Sequence, residues 1–177
     1  MGAEELPLLA FYQGTGTDHA GRTFEAIIAS HFELLEAQHD FIQWLFPLPE
    51  RSPVNPEAPI LTQAVIDAFQ SDSGLRANLR RALDKMLAFY GLALVRRAEA
   101  LDVSLTPAFV ERRNVWLHRN NHNHLRLTRI LRCRYLLSLT AEAQALGRRL
   151  DQIAEAEPQD VSEGTRAFWA RASSGRA

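Results

Sequence analysis

Two polar side chains and one aromatic ring in segment 34–50, "LLEAQHDFIQWLFPLPE", have types and spacing that suit ligand binding. His39 and Gln43 lie four residues apart, so in a helix they share one face, at the rim of the apolar stripe. Trp44 points to the opposite side, beside acidic residues, where it can seat a ligand with an amine and an aromatic ring. The alternative is that Trp44 and Phe41 bury a second flank of a central helix.

A second polar segment, 120–131 ("NNHNHLRLTRIL"), combines a helix start with arginines. Its amide-rich beginning precedes the helix N-terminus, where backbone N–H groups and the helix dipole favour anions. Arg126 and Arg129 follow, and an arginine pair can hold a carboxylate or phosphate through paired hydrogen bonds. The alternative is internal: either arginine forms an ion pair with Glu36 or Asp40 of the acidic first helix.

The histidines allow further chemistry. A histidine at the rim of a helix most often hydrogen-bonds a nearby carbonyl, and the alternative is an enzyme that uses His39 or His122 in a helical cleft. His118, His122 and His124 span a loop with no acid nearby, so no metal site is expected. No phosphate-binding or dinucleotide-binding motif occurs, so we expect no cofactor and no enzyme. The candidate ligand-binding residues are His39, Gln43, Trp44, Tyr90, His122, Asn123, Arg126 and Arg129.

Apolar residues recur at helical spacing, and no stretch alternates as a half-buried strand does. A first long helix is predicted from about residue 23 to 46, ended by the prolines that follow. Thr62 is a predicted N-cap and Gly91 a predicted helix stop. The later helices are predicted at about 62–69, 75–90, 106–116, 124–139 and 141–155. The predicted fold class is all-α, a single-domain helical bundle.

We expect the helices that contain Ile42, Met86 and Ile130 to pack in one core, because each carries an apolar stripe.

The boundaries of the domain follow from where the apolar stripes begin and end. The predicted division is an irregular N-terminal entry at 1–20, a helical domain at 21–157 and a polar C-terminal tail at 158–177.

Charge is distributed unevenly along the 177 residues, although the formal net charge is only −1. Residues 1–70 hold ten acids and two bases, whereas residues 71–134 hold five acids and thirteen bases. This arginine-rich middle segment can bind an anion or nucleic acid, or it can pack against the acidic segment. Nucleic acid is the less expected partner, because the aromatic residues are not interleaved with the basic ones as in single-strand binders.

The chain has no apolar run of the roughly 20 residues needed to span a membrane, and its acidic first residues do not form a secretory signal. A lone Cys133 excludes an internal disulfide and a cysteine-based zinc site. We therefore expect a cytoplasmic protein. Its oligomeric state is not indicated by the sequence.

Three blocks in order resemble the conserved domain of the opioid growth factor receptor family: segment 34–50, "MLAFYG" (86–91) and "HNHLRLTRIL" (122–131). The resemblance is to compact, microbial-type members. It implies a helical domain and, for the animal members, a receptor for an opioid pentapeptide at the membrane or nuclear periphery. It therefore favours a receptor-like binding domain for a peptide or small anionic ligand.

Overall fold

The computed structural model describes residues 6–98 and 100–175. Contacts divide the chain into two compact units, residues 1–83 and 84–177, which we call the N-terminal unit and the C-terminal unit. Among the described residues, no helix combines the length and apolar character needed to cross a membrane.

The described residues of the N-terminal unit form helices joined by turns and loops, without a strand. Its helices are α1 (Pro7–Gln13), α2 (Phe24–Ala29), α3 (Phe32–Ala37), α4 (Ile42–Leu45), α5 (Gln63–Ser71) and the first part of α6 (Ser73–Tyr90). Aromatic rings fill its interior: Phe11 lies edge-on against Tyr12, Phe24 and Trp44, with centroid separations of 5.7, 5.7 and 5.3 Å. The sequence predicted an irregular entry here, but Pro7 at the first helical turn starts α1.

The long helix predicted from 23 to 46 is wrong, because the segment forms three short helices. The backbone turns extended at Ser30 and Gln38, with ψ of 145° and 137°. The Ser30 hydroxyl donates to the carbonyl of Ala26 at 2.8 Å, and Arg22 donates to the Gln38 side chain at 2.9 Å. The Ser30 bond competes with the helix for a backbone carbonyl, and an apolar stripe alone does not reveal it.

Helices α5 and α6 confirm the predictions that Thr62 is an N-cap and that Gly91 is a helix stop. Thr62 accepts a hydrogen bond from the backbone N–H of Val65 at 3.4 Å. Asp72 accepts one from the N–H of Gly74 at 2.7 Å, which satisfies a group at the start of α6. Gly91 follows α6 with a left-handed φ of 76°.

The described residues of the C-terminal unit form the end of α6, a β-hairpin and four further helices. These elements are β1 (Leu92–Arg97), β2 (Ala100–Leu105), α7 (Phe109–Trp116), α8 (Asn123–Leu136), α9 (Thr140–Ala156) and α10 (Glu163–Ser174). Helices α7, α8 and α9 lie within a few residues of their predicted positions. Thr106 does not cap α7, since its hydroxyl donates to the carbonyl of Gly91 at 2.9 Å.

The all-α prediction is wrong, because β1 and β2 form a two-stranded antiparallel sheet in a helix-dominated fold. The register runs from Leu92 opposite Leu105 to Arg97 opposite Ala100. Gly91, in the left-handed conformation, ends α6 directly before β1. Burial fades along β1 from its first residue to exposed arginines, so the sequence shows no clear alternation with a period of two.

Strand β2 lies on helix α9, and arginines of α9 bind its backbone. Arg149 donates Nε–H to the carbonyl of Val103, and Arg148 donates to the carbonyl of Leu101 at 3.1 Å. Backbone groups on the open edge of a small sheet need such partners. The arginines therefore protect the strand edge that faces the helix.

Helices α8 and α9 are joined by a buried ion pair between Arg134 and Glu142. Their side chains are 1% and 3% exposed. Removing one member of a buried pair typically costs about 3 to 5 kcal/mol, because the other charge is left without compensation. The pair thus fixes the two helices against each other.

Helix α10 forms where the sequence predicted a polar tail. The Ser162 side chain caps the helix by accepting the N–H of Thr165 at 3.1 Å. Trp169 is 2% exposed, and its Nε1–H donates to the carbonyl of His124 at 3.1 Å. The sequence did not reveal this helix, because the short apolar segment "FWA" contributes one buried indole where a longer helix would show an apolar stripe.

Ile42, Met86 and Ile130 are all buried, at 4%, 0% and 1% exposure. Ile42 belongs to the N-terminal unit and the other two to the C-terminal unit, so their common core stays a prediction. The division into 1–20, 21–157 and 158–177 also stays a prediction.

Replacing Gly91 with alanine should lower the free energy of unfolding by more than about 2 kcal/mol. The left-handed backbone alone costs a residue with a Cβ about 1 to 2 kcal/mol. A Cβ on Gly91 would also lie 2.5 Å from the Cα of Phe109. Gly14→Ala is the matched control, because φ there is 77° with no neighbouring atom within 4 Å. Urea denaturation checks both variants, and equal losses would contradict the steric argument.

Candidate functional site

Trp44 lies in a polar network of the N-terminal unit. Its side chain is buried, and its Nε1–H donates to Nδ1 of His19 at 3.1 Å. The two rings are nearly parallel, at an interplanar angle of 18°. Because Nδ1 accepts this bond, the neutral imidazole carries its hydrogen on Nε2, which faces Asp40 Oδ2 at 3.2 Å. Both ring nitrogens of His19 therefore have fixed partners.

Arg22 connects the same network to two carboxylates. Its guanidinium donates to Asp18 at 2.7 Å, to Asp40 at 2.9 Å and to Gln38 at 2.9 Å. Burial acts to raise the pKa of Asp40, but the hydrogen bond and charge of Arg22 outweigh it and lower that pKa below its ordinary value. Asp40 is thus held as a carboxylate between a guanidinium and an imidazole.

The sequence did not single out His19 and Arg22. They lie outside any helix, in a turn where Asp18 accepts the backbone N–H of Arg22 at 2.8 Å. Their partners Trp44 and Asp40 are 25 and 18 residues away in the chain. No local spacing predicts this arrangement, although the "TDHAGR" cluster of charged residues next to a glycine marks a structured turn.

The other predicted residues of this unit differ in exposure. His39 is exposed, whereas Gln43 is 4% exposed. With its amide oriented to suit its neighbours, Gln43 donates to the carbonyls of Asp40 at 3.0 Å and His39 at 3.3 Å. This side chain closes the turn before α4 and leaves little surface for a ligand.

In the C-terminal unit the predicted residues are mostly interior. Tyr90 is fully buried edge-on against Trp116, whose Nε1–H donates to the carbonyl of Tyr90 at 3.1 Å. Asn123 is 0% and Arg126 5% exposed, and Arg126 donates to the Asn123 side chain at 3.2 Å. These contacts fix the start of α8 from inside.

His122 and Arg129 are partly exposed and remain accessible. The structure thus brings His39, Gln43 and Trp44 together in one unit, and Tyr90, His122, Asn123, Arg126 and Arg129 in the other. Their convergence on one ligand site stays a prediction. The ion pair between Glu36 or Asp40 and Arg126 or Arg129 stays a prediction as well.

His124 is buried between two indoles. Its ring lies edge-on to Trp116 and Trp169, at centroid separations of 6.4 and 5.4 Å. Its Nε2 has no hydrogen-bond partner among the described residues. Burial lowers the pKa of His124, and nearby His118 lowers it further, while the Trp116 carbonyl and Asp160 act in the opposite direction. The neutral imidazole is therefore favoured.

Cys133 and the remaining histidines are poorly suited to catalysis or metal binding. Cys133 is 0% exposed, and burial raises the pKa of its thiol to about 12. Such a thiol is a poor nucleophile at neutral pH. In the described part of the chain, no group of three or more His, Cys, Asp or Glu side chains is placed to hold a metal ion.

A groove of about 320 Å³ between α8 and α10 combines aromatic walls with charged side chains. Its lining residues include Thr128, Arg132, Tyr135, Leu136, Phe168 and Arg171. Phe168 is 52% exposed, and the Arg171 guanidinium lies 4.8 Å above its ring centroid. The sequence missed this groove, because α10 was predicted to be a tail.

Comparison with known proteins matches the greater part of the chain to one family. The opioid growth factor receptor (OGFr) conserved region matches residues 4–151. The chain is 41% identical over 105 residues to the mouse opioid growth factor receptor, covering 58% of this chain and 16% of that protein. The human receptor is 39% identical over 102 residues, covering 58% and 15%.

The mouse opioid growth factor receptor-like protein 1 is 36% identical over 101 residues, covering 57% of this chain and 21% of that protein. The match thus spans about a fifth or less of the length of these curated relatives. No solved structure matches the chain.

The hydrogen bond between Trp44 and His19 should contribute about 0.5 to 1.5 kcal/mol to the free energy of unfolding. A double-mutant cycle with Trp44→Phe and His19→Ala isolates this pair, because loss of the contact between His19 and Asp40 is common to the single and the double His19 variants and cancels. Chemical denaturation of the four proteins measures the coupling. A coupling energy near zero would show that the contact is energetically neutral.

Stability should fall as the pH drops below about 6.5, the ordinary pKa of histidine. The folded protein holds the pKa of His124 below that value, so the unfolded chain binds the proton more readily and acid favours unfolding. His124→Phe should remove this slope, which is at most about 1.4 kcal/mol per pH unit for one group. Denaturation at several pH values checks it, and an unchanged slope in the variant would contradict the assignment.

Proposed function

Because the chain belongs to the opioid growth factor receptor family, we propose that it is a non-catalytic domain that binds a short peptide. The matching relatives are named as receptors for opioid growth factor. An opioid pentapeptide is therefore the first ligand to test. The groove between α8 and α10 supplies the proposed seat.

The partners of the two ring nitrogens of His19 support a binding function over a catalytic one. A catalytic histidine needs one ring nitrogen open toward a substrate while a partner orients the other. His19 has a carboxylate partner in Asp40, as a catalytic dyad would. Its second nitrogen, however, accepts the Trp44 indole N–H and offers no site to a substrate. The arrangement fixes the turn around Arg22 and suits a structural role.

The burial of several predicted ligand-binding residues supports the same view. Trp44, Tyr90, Asn123 and Arg126 are each at most 5% exposed. Residues this deeply buried contact their own unit, so we assign them to folding. His39, His122 and Arg129 retain accessible surface and stay candidate ligand contacts.

The groove between α8 and α10 is the observation that carries the proposal. Ligand sites are concave, with mostly apolar walls and a few polar groups that fix orientation. Tyr135, Leu136 and Phe168 provide such walls, while Arg132 and Arg171 provide the polar groups. Phe168 is half-exposed without covering the groove, so its ring is ready to contact a ligand.

Calorimetry with an enkephalin pentapeptide should show binding that Phe168→Ala weakens by about tenfold, since a lost aromatic contact costs on the order of 1 to 2 kcal/mol. Val110→Ala is the matched control, because Val110 is an apolar residue of α7 that is 75% exposed. Circular dichroism verifies the fold of both variants. Absence of binding to the wild type, or equal affinity in both variants, would reject the proposal.

A further inference from the structure

The charged groups that line the groove between α8 and α10 are all cationic. Arg132 and Arg171 line it, and no acidic side chain does among the described residues. We propose that the groove recognises the free carboxyl end of a peptide whose last side chain is aromatic or large and apolar. This inference rests on the proposed peptide-binding function and specifies which end of the peptide is bound.

The position of Arg171 suits a carboxylate. Its guanidinium lies 4.8 Å above the centroid of the Phe168 ring. Contact with an aromatic face leaves the N–H groups at the edge of the guanidinium plane available, and two of them can bind both oxygens of a carboxylate. A side chain held by the ring also loses less conformational freedom when a ligand binds.

The helix dipoles oppose an anion here, whereas the arginines attract one. Tyr135 and Leu136 belong to the last turn of α8, and Arg171 to the last turn of α10. Each helix C-terminus carries roughly −0.5 elementary charge, or about −1 for the two. The Arg132 and Arg171 guanidinium groups that line the groove are positively charged, which favours a carboxylate over the amino end of a peptide.

The size of the groove sets the length of the bound segment. A volume of about 320 Å³ is at the lower end of ligand pockets, which run from roughly 300 to 1,000 Å³. It suits one terminal residue with its carboxylate. Tyr135, Leu136 and Phe168 would then contact the last side chain while the arginines bind the carboxylate.

Helix α10 is held firmly enough to keep this groove preformed. Trp169 donates to the carbonyl of His124 at 3.1 Å, and a Cβ added to Gly147 of α9 would lie 2.8 Å from Ser173. Helix α10 also lies beyond residue 151, where the family match ends. One wall of the groove therefore lies outside the matched region.

The test compares the enkephalin pentapeptide as free acid, as C-terminal amide and with an acetylated amino end, by calorimetry on the full chain. We expect amidation to weaken binding by about tenfold or more, since it removes a charge-assisted pair, and acetylation to leave binding unchanged. Equal affinity of acid and amide would overturn the inference and leave the proposed function in place.

Two arginine variants locate the effect. Arg171→Lys keeps the charge but loses the planar fork, so it should reduce the preference for the free acid, and Arg132→Gln should reduce it as well. Arg119→Gln, an exposed arginine elsewhere in the C-terminal unit, is the control and should keep the full preference. A preference that survives in both groove variants would place carboxylate recognition elsewhere and overturn the inference.

A smaller probe separates the two proposals. N-acetylphenylalanine carries only the carboxylate and one aromatic side chain, and its amide is the matched control. If the acid shifts the NMR signals of groove residues and the amide does not, the inference stands even if the pentapeptide fails to bind. That combination would reject the proposed opioid-type ligand alone, whereas equal shifts from acid and amide would reject the carboxylate site.

Discussion

The buried pair of Arg134 and Glu142 is the constraint on which the C-terminal unit depends. Two charges removed from water are stable only together, so α8 and α9 have one favourable arrangement at that point. Helix α8 then presents Tyr135 to the groove and the carbonyl of His124 to Trp169. A shift of α8 along its axis would separate the charges before it reshaped the groove. The polar interior thus specifies a geometry that apolar packing alone would leave adjustable.

The elements that could be predicted from the sequence are those whose signals are local. Thr62 caps α5 and Gly91 ends α6, and both act through groups within a few residues of themselves. The contact of Gln38 could not be predicted, because its partner Arg22 lies 16 residues earlier in the chain. The hairpin was missed for a different reason: two short strands that are only partly buried leave no regular pattern.

For the candidate site, too, the sequence predicts some features and not others. The sequence indicated correctly which segments carry unusual polar and aromatic residues, but it could not distinguish a ligand contact from an internal one. Trp44 shows why, since a helical wheel gives the direction of a side chain and not its partner, which is His19. The groove could not be predicted without knowing that α10 is a helix, and α10 packs mainly through Trp169. A single anchoring residue leaves no periodicity to detect.

The complete burial of Cys133 makes its thiol a reporter of motion in α8. The native thiol is both inaccessible and protonated at neutral pH, so an alkylating reagent can react only after the helix opens. As the single cysteine of the chain, it yields one labelling rate that reflects one opening equilibrium. A ligand seated between α8 and α10 would suppress that opening and slow the labelling. The protein therefore carries its own probe for occupancy of the groove, without any engineered residue.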